Sequence, residues 1–202
     1  MYIPKYFKID DEEVNYDFIE TYSFATLFSQ HNGEPYATHL PLILKKSEDA
    51  LYGHFARPNE QWKDAENQQV LVVFQGPHCY VSPSWYETSK AAAPTWNYVS
   101  IHLLGKLEIV EDQKVILDTL NDMVYKYEEP DSSYNLNDVD PNYIQGMAKG
   151  IVAFKIKITK IEAKAKLSQN HPVERQELII KHLESTAKHD NIKVASLMRK
   201  NL

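Results

Sequence analysis

The stretch GPHCYVSPSWY, residues 76 to 86, gathers His78, the lone Cys79, Ser82, Ser84 and the rings of Tyr80, Trp85 and Tyr86 around two prolines. These side chains allow three chemistries: a thiol nucleophile beside its base, a metal cup, or a flat shelf for a planar ligand. The first fails on geometry. In an extended stretch neighbouring side chains point to opposite faces, so the His78 imidazole does not reach the Cys79 sulfur, and Cys79 reads as a small buried structural residue. No G-x-S-x-G elbow or S-x-x-K arrangement supports serine acyl transfer. For metal, the eight histidines include no H-x-x-x-H or H-E-x-x-H pair that would set two ligands on one helical face. His39, His54, His78 and His102 fall in strand-like segments, where hydrogen bonding is their ordinary fate; a single haem ligand from this set stays open.

Phosphate cradles are the next test. With six glycines and neither G-x-G-x-x-G nor G-x-x-x-x-G-K-[ST], the chain has no Rossmann or P-loop nucleotide site, so a phosphate must be held by side chains. Arg57, Lys90 and Lys166, with the hydroxyls of Thr38, Ser82 and Ser84, are the candidates. The shelf is the third chemistry: Trp85, Tyr86, Trp96 and Tyr98 stand near prolines and small polar groups at strand ends, offering a flat face with a hydrogen-bonding edge. The same rings also serve simply to close the end of a barrel, and pattern alone does not separate the two.

The elements that position these residues follow from periodicity. Asp10 or Asp11 caps a helix with Glu12 and Glu13 in its first turn, and Val14, Phe18, Tyr22, Leu27 and Phe28 extend the helical spacing until His31-Asn32-Gly33 stops it. YATHLPLIL and ALYGHFA read as two strands joined at a polar turn, and 58–68 as a polar excursion. QQVLVVFQG is a buried strand ended by Gly76-Pro77, with CYVSP extended beyond it. TWNYVSIHLLGKLEIVE is a long strand bending at Gly105. A helix over about 112–128, a polar loop and a short helix over 141–149 precede the cleanest alternation in the chain, at 151–161, where Phe154, Ile156 and Ile158 share one face. Two helical stretches occupy 172–200. Six or so largely antiparallel strands with helices at the start, middle and end give a small, mainly β, α+β barrel decorated with helices. Its interior is filled by side chains, so a large ligand must bind at the rim or between two copies.

Bulk properties bound the function. The 202 residues suit one core plus extras. A formal charge of −6 argues against coating nucleic acid nonspecifically. One cysteine excludes an intramolecular disulfide framework, and no apolar run is long enough for a signal core or a membrane span. A soluble, cytoplasmic protein is expected.

MYIPKYF at the start, ATHLPL (37–42), GHFARPNEQW (53–62), GPHCYVSPSWY (76–86), PTWNYVSIHLLGKL (94–107) and KLSQNHP (166–172), in that order, resemble the PaiB family of bacterial transcriptional regulators. The resemblance runs from the first residue to the last helix. It implies an FMN-binding split β-barrel, akin in fold to pyridoxamine-phosphate oxidases and flavin reductases, with two subunits packed barrel to barrel and flavin at the junction. It divides the chain into a split-barrel domain, 1–170, and a C-terminal helical extension, 171–202. It also implies a negative regulator of sporulation and degradative protease synthesis. Carried onto this chain, it places Thr38 and His39 facing the flavin, His54, Arg57 and Asn59 at the ribityl chain and phosphate, Ser82, Trp85 and Tyr86 on one wall, and Thr95, Trp96 and Asn97 on another. Lys166 and Asn170 approach from the C-terminal block. Arg57 is the preferred phosphate contact, because its fork makes two charge-assisted bonds.

Two other classes stay open: a flavin-dependent oxidoreductase acting on a small molecule, and a haem-handling split-barrel protein. Contact with DNA is a further question. Residues 172–202 hold Arg175, Lys181, Lys188, Lys193, Arg199 and Lys200 against four acidic residues, a modest surplus on a helix pair that packs as readily as it reads a groove.

Overall fold

The computed structural model describes every residue except Ser89, Lys90, Ala91 and Ala187; the phosphate candidate Lys90 thus lies outside the described residues. In chain order the elements are β1 (Lys8–Ile9), α1 (Glu12–Thr21), β2 (Phe24–His31), β3 (Glu34–Pro41), β4 (Ile43–Lys45), β5 (Ala50–Ala56), α2 (Trp62–Ala65), β6 (Gln69–Val81), β7 (Thr95–Ile109), α3 (Gln113–Tyr127), α4 (Pro141–Lys149), β8 (Ile151–Lys166), α5 (Val173–Ser185) and α6 (His189–Arg199). The strands form one eight-stranded sheet in the order β3-β2-β6-β7-β8-β5-β4, with β1 paired antiparallel to β8. By its internal contacts the chain divides into two compact units. The first comprises Met1–Phe18, Gln75–His102 and Glu162–Leu202, the second Ile19–Phe74 and Leu103–Ile161.

The predicted first helix is half as long as expected. It starts where Asp11 Oδ1 accepts from the backbone N–H of Glu13 at 2.9 Å and Val14 at 3.2 Å, but ends at Thr21. Residues 24–31 form β2 instead, with Ala25, Leu27 and Ser29 buried and Phe24 and Phe28 exposed. Phe24 to His31 pair in register with Pro41 to Glu34. Asn32 and Gly33, at φ of 53° and 79°, are the two-residue hairpin turn that the sequence reading had taken as a helix stop.

A second correction concerns Gly76-Pro77, which lies inside β6. A Cβ on Gly76 would sit 2.7 Å from the Phe18 ring, so this glycine admits a ring, not a turn. Proline is tolerated there because the pairing of β6 with β2 covers only Leu71 to Val73. Gly105 lies within the continuous strand β7, and an added Cβ there would meet Ile156 Cγ2 at 2.4 Å and the Lys157 carbonyl oxygen at 2.6 Å, so the glycine admits a close strand neighbour.

Each unit has its own apolar interior. In the second unit Leu27, Leu42, Leu51, Phe55, Phe74, Leu103, Leu107, Phe154 and Ile156 are buried, with Phe55 and Phe154 rings 4.6 Å apart. In the first unit α5 and α6 supply Ile179, Ile180, Leu183, Val194, Ala195 and Met198 to a cluster with Cys79, Val81, Tyr86, Val99 and Leu167. No described helix is long and apolar enough to cross a membrane.

Candidate functional site

In the second unit the hairpin β2–β3 and the loop after β5 meet around one amide. Gln61 is completely buried. Its Nε2 donates to the carbonyl of Leu27 (3.3 Å), to Ser29 Oγ (2.9 Å) and to the carbonyl of Tyr36 (3.4 Å), and its Oε1 accepts from the Thr38 hydroxyl. Asn59 completes the ring: its Nδ2 donates to Thr38 Oγ1 at 2.8 Å and its Oδ1 accepts from the Gln61 backbone N–H at 3.0 Å. Thr38 and Asn59 are therefore brought together, pinned by a residue that no sequence pattern singled out. His39, exposed on β3, bonds through Nδ1 to Thr26 Oγ1 at 2.9 Å and stacks on Phe24. His54 is half-buried, its Nδ1 has no partner, and burial pushes its pKa below the usual histidine value.

Arg57 is fixed from three sides. Its backbone N–H donates to the Gly150 carbonyl at 2.8 Å, and Nε and Nη2 donate to the carbonyls of Lys149 and Ile151, each at 2.6 Å. One edge of the guanidinium is thus spent on backbone, which locks its plane and leaves the Nη1/Nη2 edge as a second bidentate donor pair. Its charge meets no carboxylate in an ion pair among the described residues. Arg57 borders a cavity of about 530 Å³ shared with Trp62, Ile116, Leu117, Gln145 and Lys149.

The first unit holds the remaining candidates in two places. Trp96 is 51% exposed, with His78 and Tyr80 centroids 5.9 and 6.2 Å from its own, an open aromatic face at the ends of β6 and β7. Trp85 is different: it stacks on His182 at 3.9 Å and packs against the α5–α6 cluster. Asn97 is completely buried, accepting from Ser168 Oγ at 3.1 Å and donating to Met198 Sδ at 3.5 Å. Ser82 caps the turn at Pro83–Trp85, accepting from the Ser84 backbone N–H at 3.2 Å. Tyr86, Thr95, Lys166 and Asn170 line a separate cavity of about 320 Å³, together with His171 and Arg175. Those last two escaped the sequence reading, in which Arg175 was only one basic residue of the tail.

Cys79 is buried and free. Burial, then the Asp190 carboxylate, push its thiol up to about 11, so at neutral pH it is protonated and poorly nucleophilic. Native protein is therefore expected to react with a thiol reagent at least tenfold more slowly than urea-unfolded protein; equal rates would contradict the burial. Among the described residues no group of three or more His, Cys, Asp or Glu is placed to hold a metal ion.

Residues 1–160 match the family model described as "Putative FMN-binding domain". Over 206 aligned positions the chain is 40% identical to the protease synthase and sporulation protein PAI 2 of Bacillus subtilis (strain 168), covering 100% of this chain and 98% of the other. The chain belongs to the PaiB family of FMN-binding domains. FMN is the cofactor of that family. Among solved structures, the flavocytochrome Anf3 from Azotobacter vinelandii superimposes with a TM-score of 0.65 at 18% identity, covering 81% of this chain and 72% of that one. The conserved hypothetical protein Rv2991 from Mycobacterium tuberculosis gives 0.60 at 13% identity, covering 85% and 94%. The fold of this family member is the split β-barrel with peripheral helices: an antiparallel eight-stranded sheet carrying helices between and after its strands.

Proposed function

We propose that this chain is a homodimeric, cytoplasmic, FMN-binding negative regulator of degradative protease synthesis and sporulation, with the flavin at the junction of two copies. The observation that carries the reading is the full-length identity to the Bacillus subtilis protein PAI 2. The residues present fit the cofactor. Arg57 offers a pre-oriented edge and an unneutralised charge for the phosphate, and the orphaned Nδ1 of His54, whose pKa burial lowers, suits a hydroxyl or ring-edge donor. When bound, the flavin supplies one- or two-electron redox chemistry. In this reading Thr38 and Asn59, held together through Gln61, shape the second unit's part of the pocket beside Arg57.

Support for a second copy comes from exposed apolar surface: Phe24 and Phe28, on one face of the β2–β3 hairpin, are 67% and 37% exposed. Direct reading of DNA by α5 and α6 has less behind it. Their apolar faces are buried in the cluster described above, and Arg175 and Arg199 are engaged by Glu87 and Glu184. We therefore place the regulatory effect in the response to ligand. In a gel-shift titration with a protease-gene promoter, alongside light scattering, we expect dimer mass and a promoter midpoint that moves when FMN is added. A monomer, or a midpoint indifferent to FMN combined with flavin-dependent turnover of a small molecule, would overturn the regulator in favour of an oxidoreductase; a haem spectrum in the purified protein would favour haem handling.

A further inference from the structure

We propose that the cavity formed in the first unit by Tyr86, Thr95, Lys166, Asn170 and Arg175 is a second anion site that takes inorganic phosphate or a small phosphate monoester, separate from the flavin phosphate held by Arg57. Tyr86, Thr95, Lys166 and Asn170 are thereby withdrawn from the flavin site to which the resemblance assigned them, and the proposal rests on the reading in which Arg57 holds the flavin phosphate. Tyr86 is only 8% exposed, yet its hydroxyl has no hydrogen-bond partner. A buried, unsatisfied hydroxyl costs about 1–3 kcal/mol, and a ligand oxygen in the cavity that it lines would recover that. Burial also raises its pKa, so the group is a donor at physiological pH.

Lys166 gives the charge. Its ammonium donates to Thr95 Oγ1 and, at 2.7 Å, to the Trp96 carbonyl. Both partners are neutral, and no carboxylate pairs with it among the described residues. Burial, and then the neighbouring Lys164, lower its pKa. Arg175 lies over the Tyr86 ring at 4.7 Å and is held by Glu87. Glu87 takes the Nε and Nη2 donors, which leaves the Nη1 donors of the guanidinium for a ligand. His171 lines the same space.

Phosphate fits this donor set better than carboxylate does. An ammonium, a phenol, an amide and a guanidinium, with the Thr95 hydroxyl beside the ammonium, offer more donors than two carboxylate oxygens accept, whereas a phosphate presents three terminal oxygens. The cavity volume of about 320 Å³ accommodates the anion with a small organic group.

The test is calorimetric titration of the full chain with inorganic phosphate, glycerol 3-phosphate and acetate, each with and without saturating FMN. We expect saturable phosphate binding that FMN leaves in place, weaker binding of acetate, and affinity reduced roughly tenfold or more in Lys166→Gln and several-fold in Tyr86→Phe. Tighter binding of the ester than of inorganic phosphate identifies a metabolite as occupant, and the reverse identifies the free ion. Arg57→Lys should leave phosphate binding unchanged while weakening FMN, so failure here and failure of the flavin reading are told apart. Circular dichroism melts confirm that the variants fold; Tyr86→Phe is the conservative member. No saturable phosphate binding, binding unaltered in both variants, acetate equal to phosphate, or displacement by FMN would each overturn the proposal.

Discussion

Arg57→Lys is expected to bind FMN roughly tenfold to a hundredfold more weakly than the native chain, while riboflavin binds nearly as before. Only FMN carries the phosphate, so the difference between the two flavins isolates the charged contact. Lysine keeps a positive charge but is a single point donor. It cannot bond the Lys149 and Ile151 carbonyls and still present two parallel N–H groups to an anion. In the native chain those carbonyls, each 2.6 Å from the guanidinium, hold the fork in place before any ligand arrives, which reduces the entropy lost on binding. Arg57→Ala removes the anchor as well as the charge, so its stability should fall by about 1–3 kcal/mol and its affinity for both flavins should decline. Equal losses for FMN and riboflavin in the lysine variant would show that Arg57 serves only to tie the end of α4 to β8.

The second large effect is expected at Gln61. Gln61→Leu keeps the volume and removes every bond the amide makes, leaving the Leu27 and Tyr36 carbonyls, Ser29 Oγ and the Thr38 hydroxyl short of a partner. Stranding buried polar groups costs about 1–3 kcal/mol each when no water replaces the partner. With partial relief by water on the Tyr36 side, a loss of about 3 kcal/mol is expected in urea unfolding. The β2–β3 hairpin and the Arg57–Asn59 turn are tied together through this amide, so FMN binding should weaken in the same variant even though Gln61 has no exposed surface. A native urea midpoint in Gln61→Leu would remove the amide from the account.

The particular elements show what a sequence reveals and what it withholds. The long run from Thr95 gave β7 because one face of it is buried along most of its length, the period-two pattern at 151–161 gave β8 through buried Phe154 and Ile156, and α3 and α4 followed from helical spacing. The junction of α1 and β2 was misread since Val14, Phe18, Tyr22, Leu27 and Phe28 satisfy a helical period by accident; alternation over 24–31 and the Asn32-Gly33 pair carried the competing signal. Gly76-Pro77 was taken for punctuation, whereas a ring from α1 occupies the space that a side chain would need. Such close approaches are tertiary facts with no local signature.

At the site, residue type was legible and commitment was not. Arg57, His54 and Trp96 have open donors or faces, as their chemistry suggested. Asn97 looked the same in sequence and is completely buried against Ser168 and Met198. Trp85, grouped with Trp96 as one shelf, is stacked on His182 from α5 instead. Gln61 and Arg175 went unremarked because each acts through partners far away in sequence: Gln61 through the β2–β3 hairpin, Arg175 through Glu87 and Tyr86.

The most direct measurement is a fluorescence titration of FMN into the purified chain, with riboflavin in parallel. The account predicts quenching that saturates at one flavin per chain, with FMN bound at least tenfold more tightly than riboflavin. Flavin fluorescence that stays unquenched, or FMN and riboflavin bound alike, would contradict it.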